Sequence, residues 1–90
     1  MPKVIIPPPY QGPTQGTARI EVEGETVLDC LEAVERKYPG FLAQVLDQDG
    51  AVHRFVKLFR NGEPLGAESA LRTRVDRTDE VEILAAIAGG

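Results

Sequence analysis

The stretch TVLDCLEAVERKYPG, residues 26–40, constrains the fold most, because it is the longest run with a helical period in a chain of 90 residues. At about 100° per residue, Val27, Cys30, Leu31, Val34 and Tyr38 share one face while Asp29, Glu32 and Arg36 point away. Thr26 and Asp29 have the form of a capping box, Arg36 and Lys37 complement the other end of the helix dipole, and Pro39-Gly40 stops the run. A helix with a single apolar stripe needs one covering layer. The rest of the chain has to supply it.

What flanks the helix reads as strands. Lys3 to Ile6 is a short β-branched run that Pro7-Pro8-Pro9 ends or confines to a sheet edge, since proline donates no ladder hydrogen bond. Gln11 to Gly16 is punctuated by Gly and Pro, and TARIEVEGE then alternates Ala18, Ile20 and Val22 against Arg19, Glu21 and Glu23. A hairpin connection makes this second strand antiparallel to the first. After the helix, Phe41, Leu42, Val45 and Leu46 suit a short second helix before Asp49-Gly50 turns the chain. HRFVKLFRNGEPL is a strand running into Asn61-Gly62, a dipeptide that tolerates the positive φ of a two-residue hairpin, with Pro64 and Leu65 beginning the return. Gly66 to Arg77 is polar, as in a turn and short helical crossover. Glu80 to Ala86 is a last strand with Val81, Ile83 and Ala85 on one side and Glu82, Leu84 and Ala86 on the other.

The order strand, strand, helix, strand, strand, crossover, strand predicts an α+β domain of the β-grasp (ubiquitin-like) type: a mixed sheet of four to five strands packed on one main helix. That topology sets the last strand in the middle of the sheet beside the first. The domain is expected to span residues 1–86, followed by a flexible tail, 87–90, ending in Gly89-Gly90. Glycine costs the most entropy to order and has no side chain to pack, so the pair is either incidental or used for its bareness.

Composition removes several alternatives. Apolar residues make up 42% and charged residues 27% of the chain, which suffices for one small globular core. A net charge of −4 disfavours nucleic acid or an anionic membrane as the main partner, because both are bound through clustered Lys and Arg. A single cysteine makes no intramolecular disulfide, the start MPKVIIPPPY lacks the apolar core of an export signal, and no membrane span is present; a cytoplasmic protein is expected. His53, the one histidine, has neither a neighbouring Cys nor paired carboxylates, so a structural role fits and no metal site is expected. Cys30, between Val27 and Val34 on the apolar face, reads as an inert buried thiol rather than a persulfide relay. Glu21, Glu23 and Glu25 alternate as an exposed strand edge or face.

The C-terminal run TDEVEILAAIAGG resembles the ends of the ubiquitin-like sulfur carriers of the ThiS/MoaD family: an acidic turn, a Val-x-Ile/Leu strand, a short apolar linker and Gly-Gly. FRNGEPL resembles their Asn-Gly hairpin, and Val75 stands where they carry a leucine before the last turn. HRFVKLFRNGE, the loop GPTQG and AIAGG are most similar to the longer CysO-type carriers of cysteine biosynthesis. The chain departs from the family pattern at Ala85-Ala86, where prolines are usual, at Thr78-Asp79, where Gly-Asp is usual, and at Pro7-Pro8-Pro9.

The resemblance implies a carrier with no catalytic residue of its own and no bound cofactor. A ubiquitin-activating-type enzyme, using ATP and Mg, would adenylate the Gly90 carboxylate. A sulfur donor would then convert it to a thiocarboxylate that gives up sulfur in biosynthesis, with cysteine formation by a cysteine synthase favoured. The alternatives are the small subunit of molybdopterin synthase and a protein modifier that forms isopeptide bonds through Gly90. Gly89, Ala88 and Ile87 would thread into the partner. For docking, Phe55, Lys57 and Phe59 share one face of the third strand, and Val56 and Leu58 the other; the set that does not cover the helix would meet the partner. Arg72, Arg74 and Arg77 offer cations to an acidic patch on the activating enzyme, or form only a solvated surface.

Overall fold

The computed structural model describes residues 1–85; the expected boundary after residue 86 and the tail 87–90 lie outside the described residues. Strands β1 (Lys3–Ile5) and β2 (Arg19–Glu21), helices α1 (Val27–Lys37) and α2 (Leu42–Val45), and strands β3 (Val56–Arg60), β4 (Glu63–Pro64) and β5 (Glu80–Ala85) follow in that order. Two 3-10 turns, Pro8–Tyr10 and Ala70–Arg72, lie in the connections. The five strands are ordered β2-β1-β5-β3-β4, with β5 parallel to β1 and antiparallel to β3. This is the β-grasp arrangement: the last strand completes the centre of the sheet.

Alternation decides what the sheet buries. Val4, Ile6, Ile20, Val22, Val56, Leu58, Val81 and Ile83 are buried, as are Val27, Cys30, Leu31 and Val34 of α1, in one continuous core. Fully burying one aliphatic side chain contributes roughly 1.5–3 kcal/mol, so this sheet-to-helix layer is the main source of stability. Phe41 and Val45, from the segment around α2, extend the same core.

The capping box forms with a shifted partner. Thr26 Oγ1 accepts from the Asp29 N–H at 3.1 Å, but the Asp29 carboxylate accepts from Glu25 N at 3.2 Å instead of from the cap residue itself. The chain lies tightly over the first helical turn at Gly24, where a Cβ would stand 2.9 Å from Asp29 Cβ and 3.0 Å from Cys30 N and Sγ. That close approach brings the Glu25 N–H within reach of the short aspartate. At the other end of α1, Glu35 accepts from Gly40 N at 3.1 Å and Leu42 N at 2.7 Å, fastening α2 to α1.

Two connections differ from a simple reading of the pattern. The third strand begins at Val56, not at His53: His53 N donates to Val45 O and Val56 N to His53 O, so residues 53–55 form a turn and Phe55 precedes the strand. The β1–β2 connection is tightly built. Gln11 Nε2 donates to Ile6 O at 2.8 Å, and Thr14, the one buried polar residue among those described, donates to Thr17 O at 2.9 Å.

Candidate functional site

Everything the sequence assigns to the tail departs from the end of β5. Ile87, Ala88, Gly89 and Gly90 lie outside the described residues, but their attachment point does not. Ala85 stands opposite Val56 and Leu84 opposite Lys57 in β3, while Val81 and Glu82 pair with Val4 and Ile5 in β1. Val81 and Ile83 are fully buried. β5 is flanked on both sides through Glu82 and by β3 alone from Ile83 to Ala85, so the segment that follows starts from a strand held in the ladder on one side.

Residues paired in register share a face, which lets the open side of the sheet be mapped row by row. Arg19, Ile5, Glu82, Phe59 and Pro64 form a row running from β2 to β4. Leu84 and Lys57 form part of the next row, nearer the end of β5; Glu21, Lys3 and Glu80 lie on the row behind. Val56 and Leu58 therefore cover the helix, and Lys57 and Phe59 face outward. Phe55 is 41% exposed and Leu84 39%. The Arg54 guanidinium lies over the Phe55 ring, 4.7 Å from its centroid, in a cation-π contact.

Arg72 and Arg74 are exposed but are not part of this cluster. Arg74 bridges to Thr26, and its carbonyl accepts from Arg60 Nη1 at 2.8 Å. Arg60 stands opposite Val81, near the beginning of β5. The segment carrying the two arginines thus approaches the opposite end of the strand from Ala85. Arg54 and Leu84, which the sequence did not single out, join the cluster instead. Leu84 carried a signal, being a large apolar residue on the outward side of an alternating strand.

The start of β5 is locked by a polar network. Asn61 and Gly62 take φ values of 51° and 85°, as the hairpin requires. Asn61 N donates to Glu80 O at 2.9 Å, Glu80 N to Asn61 Oδ1 at 2.8 Å, and Asn61 Nδ2 to Asp79 Oδ1 at 2.9 Å. The other Asp79 oxygen accepts from Asp76 N at 2.8 Å. The Asp76 N–H foremost, then Asn61, with Arg60 adding to them, hold the Asp79 carboxyl below the usual carboxylate range.

The remaining candidates are Cys30 and His53. Burial, with Asp29 alongside, pushes the Cys30 thiol up to about 11, so it stays protonated and unreactive at neutral pH. His53 is exposed, with Nε2 3.3 Å from the Ala43 carbonyl. Among the described residues no group of His, Cys, Asp and Glu is placed to hold a metal ion, and no helix is long and apolar enough to cross a membrane. A cavity of about 80 Å³ lies beneath Arg54 and Lys57, well under the roughly 300–1,000 Å³ of sites that enclose a small molecule.

Known proteins resemble this chain over most of its length. The model of the ThiS family matches residues 10–90. The sulfur carrier protein CysO of Mycobacterium tuberculosis is 32% identical over 89 residues, spanning 97% of this chain and 96% of that protein. Small archaeal modifier protein 1 of Haloferax volcanii is 31% identical over 75 residues, spanning 82% of each. Among solved structures, the BexX/CysO complex of Amycolatopsis orientalis contains a chain that superposes with a TM-score of 0.90 at 31% identity, over the full length of both chains.

Proposed function

The chain belongs to the ThiS family, and from that premise we propose that it is a sulfur carrier, a cytoplasmic co-substrate of partner enzymes whose reactive group is the Gly90 carboxylate. An α-carboxylate with a pKa of about 3.5 is ionised at neutral pH and is a poor electrophile. In a partner of the ubiquitin-activating type, supplied with ATP and Mg, a carboxylate oxygen attacks the α-phosphorus and pyrophosphate leaves. Sulfide then adds to the acyl carbon, and AMP departs with the activated oxygen, leaving a terminal thiocarboxylate. This sulfur nucleophile is consumed in a biosynthetic step, cysteine formation by a cysteine synthase being favoured by the likeness to CysO.

One observation carries this reading: the Gly-Gly end lies a few residues beyond a strand that β1 holds through Glu82 and β3 holds to Ala85, so a bare segment is joined to an ordered base. Two glycines leave no Cβ in the path of attack on the carbonyl and let the backbone pass a narrow channel, with Ile87 and Ala88 leading in. The outward face around Phe55, Lys57 and Phe59 supplies a docking surface, with exposed apolar area close to the point of departure. Intact-mass measurement after incubation with the activating enzyme, ATP, Mg and sulfide should show one terminal oxygen replaced by sulfur. A chain lacking Gly90 should not change, and equal loading of that truncated chain would refute the reading.

The likeness to small archaeal modifier protein 1 favours one second reading, in which the same activated carboxyl is transferred to lysine amines. Lysines of other proteins that carry residues 78–90 as a branch after tryptic cleavage at Arg77, without thiocarboxylate on this chain, would select it.

A further inference from the structure

We propose that Asn61 is a site of spontaneous covalent modification, converted through a succinimide to aspartate or isoaspartate, and that the hydrogen bonds tying its side chain to the start of β5 keep it intact while the fold is closed. Asn61 is the one asparagine of the chain, and it is followed by Gly62, whose nitrogen has no adjoining Cβ to hinder it. Both residues are exposed, nothing lies within 4 Å of where a Cβ on Gly62 would stand, and Gly62 N donates no backbone hydrogen bond among the described residues. The nucleophile is thus bare and reachable by water. In the reaction the deprotonated Gly62 nitrogen attacks Asn61 Cγ, the Cγ–Nδ2 bond breaks and ammonia leaves, closing a cyclic imide. Water then opens the imide. Cleavage of the bond from nitrogen to Cγ gives aspartate, and cleavage of the bond from nitrogen to the α-carbonyl carbon gives isoaspartate, with the backbone rerouted through the side chain.

What opposes ring closure is the engagement of both amide atoms. Oδ1 accepts from Glu80 N at 2.8 Å and Nδ2 donates to Asp79 Oδ1 at 2.9 Å, while Asn61 N donates to Glu80 O at 2.9 Å. Asp79 is held in turn by Asp76 N at 2.8 Å. The side chain is therefore aimed at β5, and bringing Cγ over Gly62 N requires it to turn away and give up both side-chain bonds. The chemistry is confined to openings of the hairpin. The product does not restore the closed state. Where Nδ2 donated to Asp79, a carboxylate oxygen now faces a carboxylate, and like charges in contact repel. Isoaspartate also adds a backbone methylene inside the turn that sets Arg60 opposite Glu63. Each opening that goes to completion thus leaves a permanent mark that loosens the start of β5.

The experiment ages the wild-type chain, the variants Asp79→Ala and Glu35→Ala, and a blocked peptide with the sequence of residues 58–65 in one neutral buffer at one temperature. Circular dichroism confirms that the variants are folded. The mass gained when NH2 is replaced by OH, localised by mass spectrometry to the tryptic peptide 61–72, gives the rate. The wild type should convert about tenfold more slowly than the peptide, the scale of two hydrogen bonds that must break first. Asp79→Ala should recover most of that difference, and Glu35→Ala, which weakens the attachment of α2 elsewhere in the fold, scarcely any. Deamidated chain separated by anion exchange should melt below the unmodified chain. A wild-type rate equal to that of the peptide, an Asp79→Ala rate no faster than wild type, or equal acceleration in Glu35→Ala overturns the guarding role of the network. If Asp79→Ala does not fold, the ratio of wild type to peptide decides alone. A deamidated chain that melts with the unmodified one overturns the loosening of β5.

Discussion

Asp79 shows how much a single half-buried side chain can fix. Its two oxygens hold the Asp76 N–H and the Asn61 side chain, and Asn61 in turn extends the ladder between β3 and β5 through Glu80. Since its carboxyl lies below the ordinary value in the fold, ionised Asp79 favours the folded state above the unfolded pKa of about 3.9, and that contribution is lost as pH falls through the folded value. Asp79→Asn should therefore melt below the wild type at neutral pH, with the gap closing below about pH 4; a gap that stays constant with pH would contradict this. At this scale the sequence was partly informative. Asn61-Gly62 announced a turn, because its chemistry is local. The bond from Asn61 to Asp79, between residues far apart in the chain, left no local trace.

At the scale of elements, periodicity carried most of the information. The stripe of Val27, Cys30, Leu31 and Val34 foretold α1, and the alternation of Val81 and Ile83 foretold β5, because both patterns are imposed by one buried face. The same logic misread residues 53–55 as strand: Phe55, Lys57 and Phe59 keep period two, yet His53 is held by Val45 across the turn. Period two also could not say whether Val56 and Leu58 or their neighbours faced the helix; only the packed sheet decides that. The fastening of α2 was illegible for another reason, since Glu35 looks like any exposed helical glutamate until Gly40 and Leu42 are brought to it. Glu35→Ala should lower stability by about 1–3 kcal/mol and speed amide exchange at Leu42 more than within α1, as followed by NMR. Uniform acceleration across both helices would show that Glu35 does not act locally.

For the molecule as a whole, the placement of β5 orders the stability of the parts. Central strands open only with global unfolding, whereas β2 and β4, at the two edges, fray first. Amides of Val81 and Ile83 should exchange most slowly and that of Glu63 among the fastest; slow exchange confined to α1 would overturn this ranking. The reading of the tail falls on residues beyond those described, while the surface around its base became visible only when parallel β1 and β5 brought distant segments to one end.

That parallel pairing has a consequence for biogenesis. The two strands that meet in the middle come from opposite ends of the chain, Lys3 beside Glu80 and Ile5 beside Glu82. A nascent polypeptide still inside the ribosome lacks β5, so its sheet remains in two halves with β1 and β3 each exposing an open side. Folding is thereby postponed until translation has passed β5, and a message cut short upstream of it yields a product that proteases remove, not a compact decoy that competes for the enzymes meant for the finished protein.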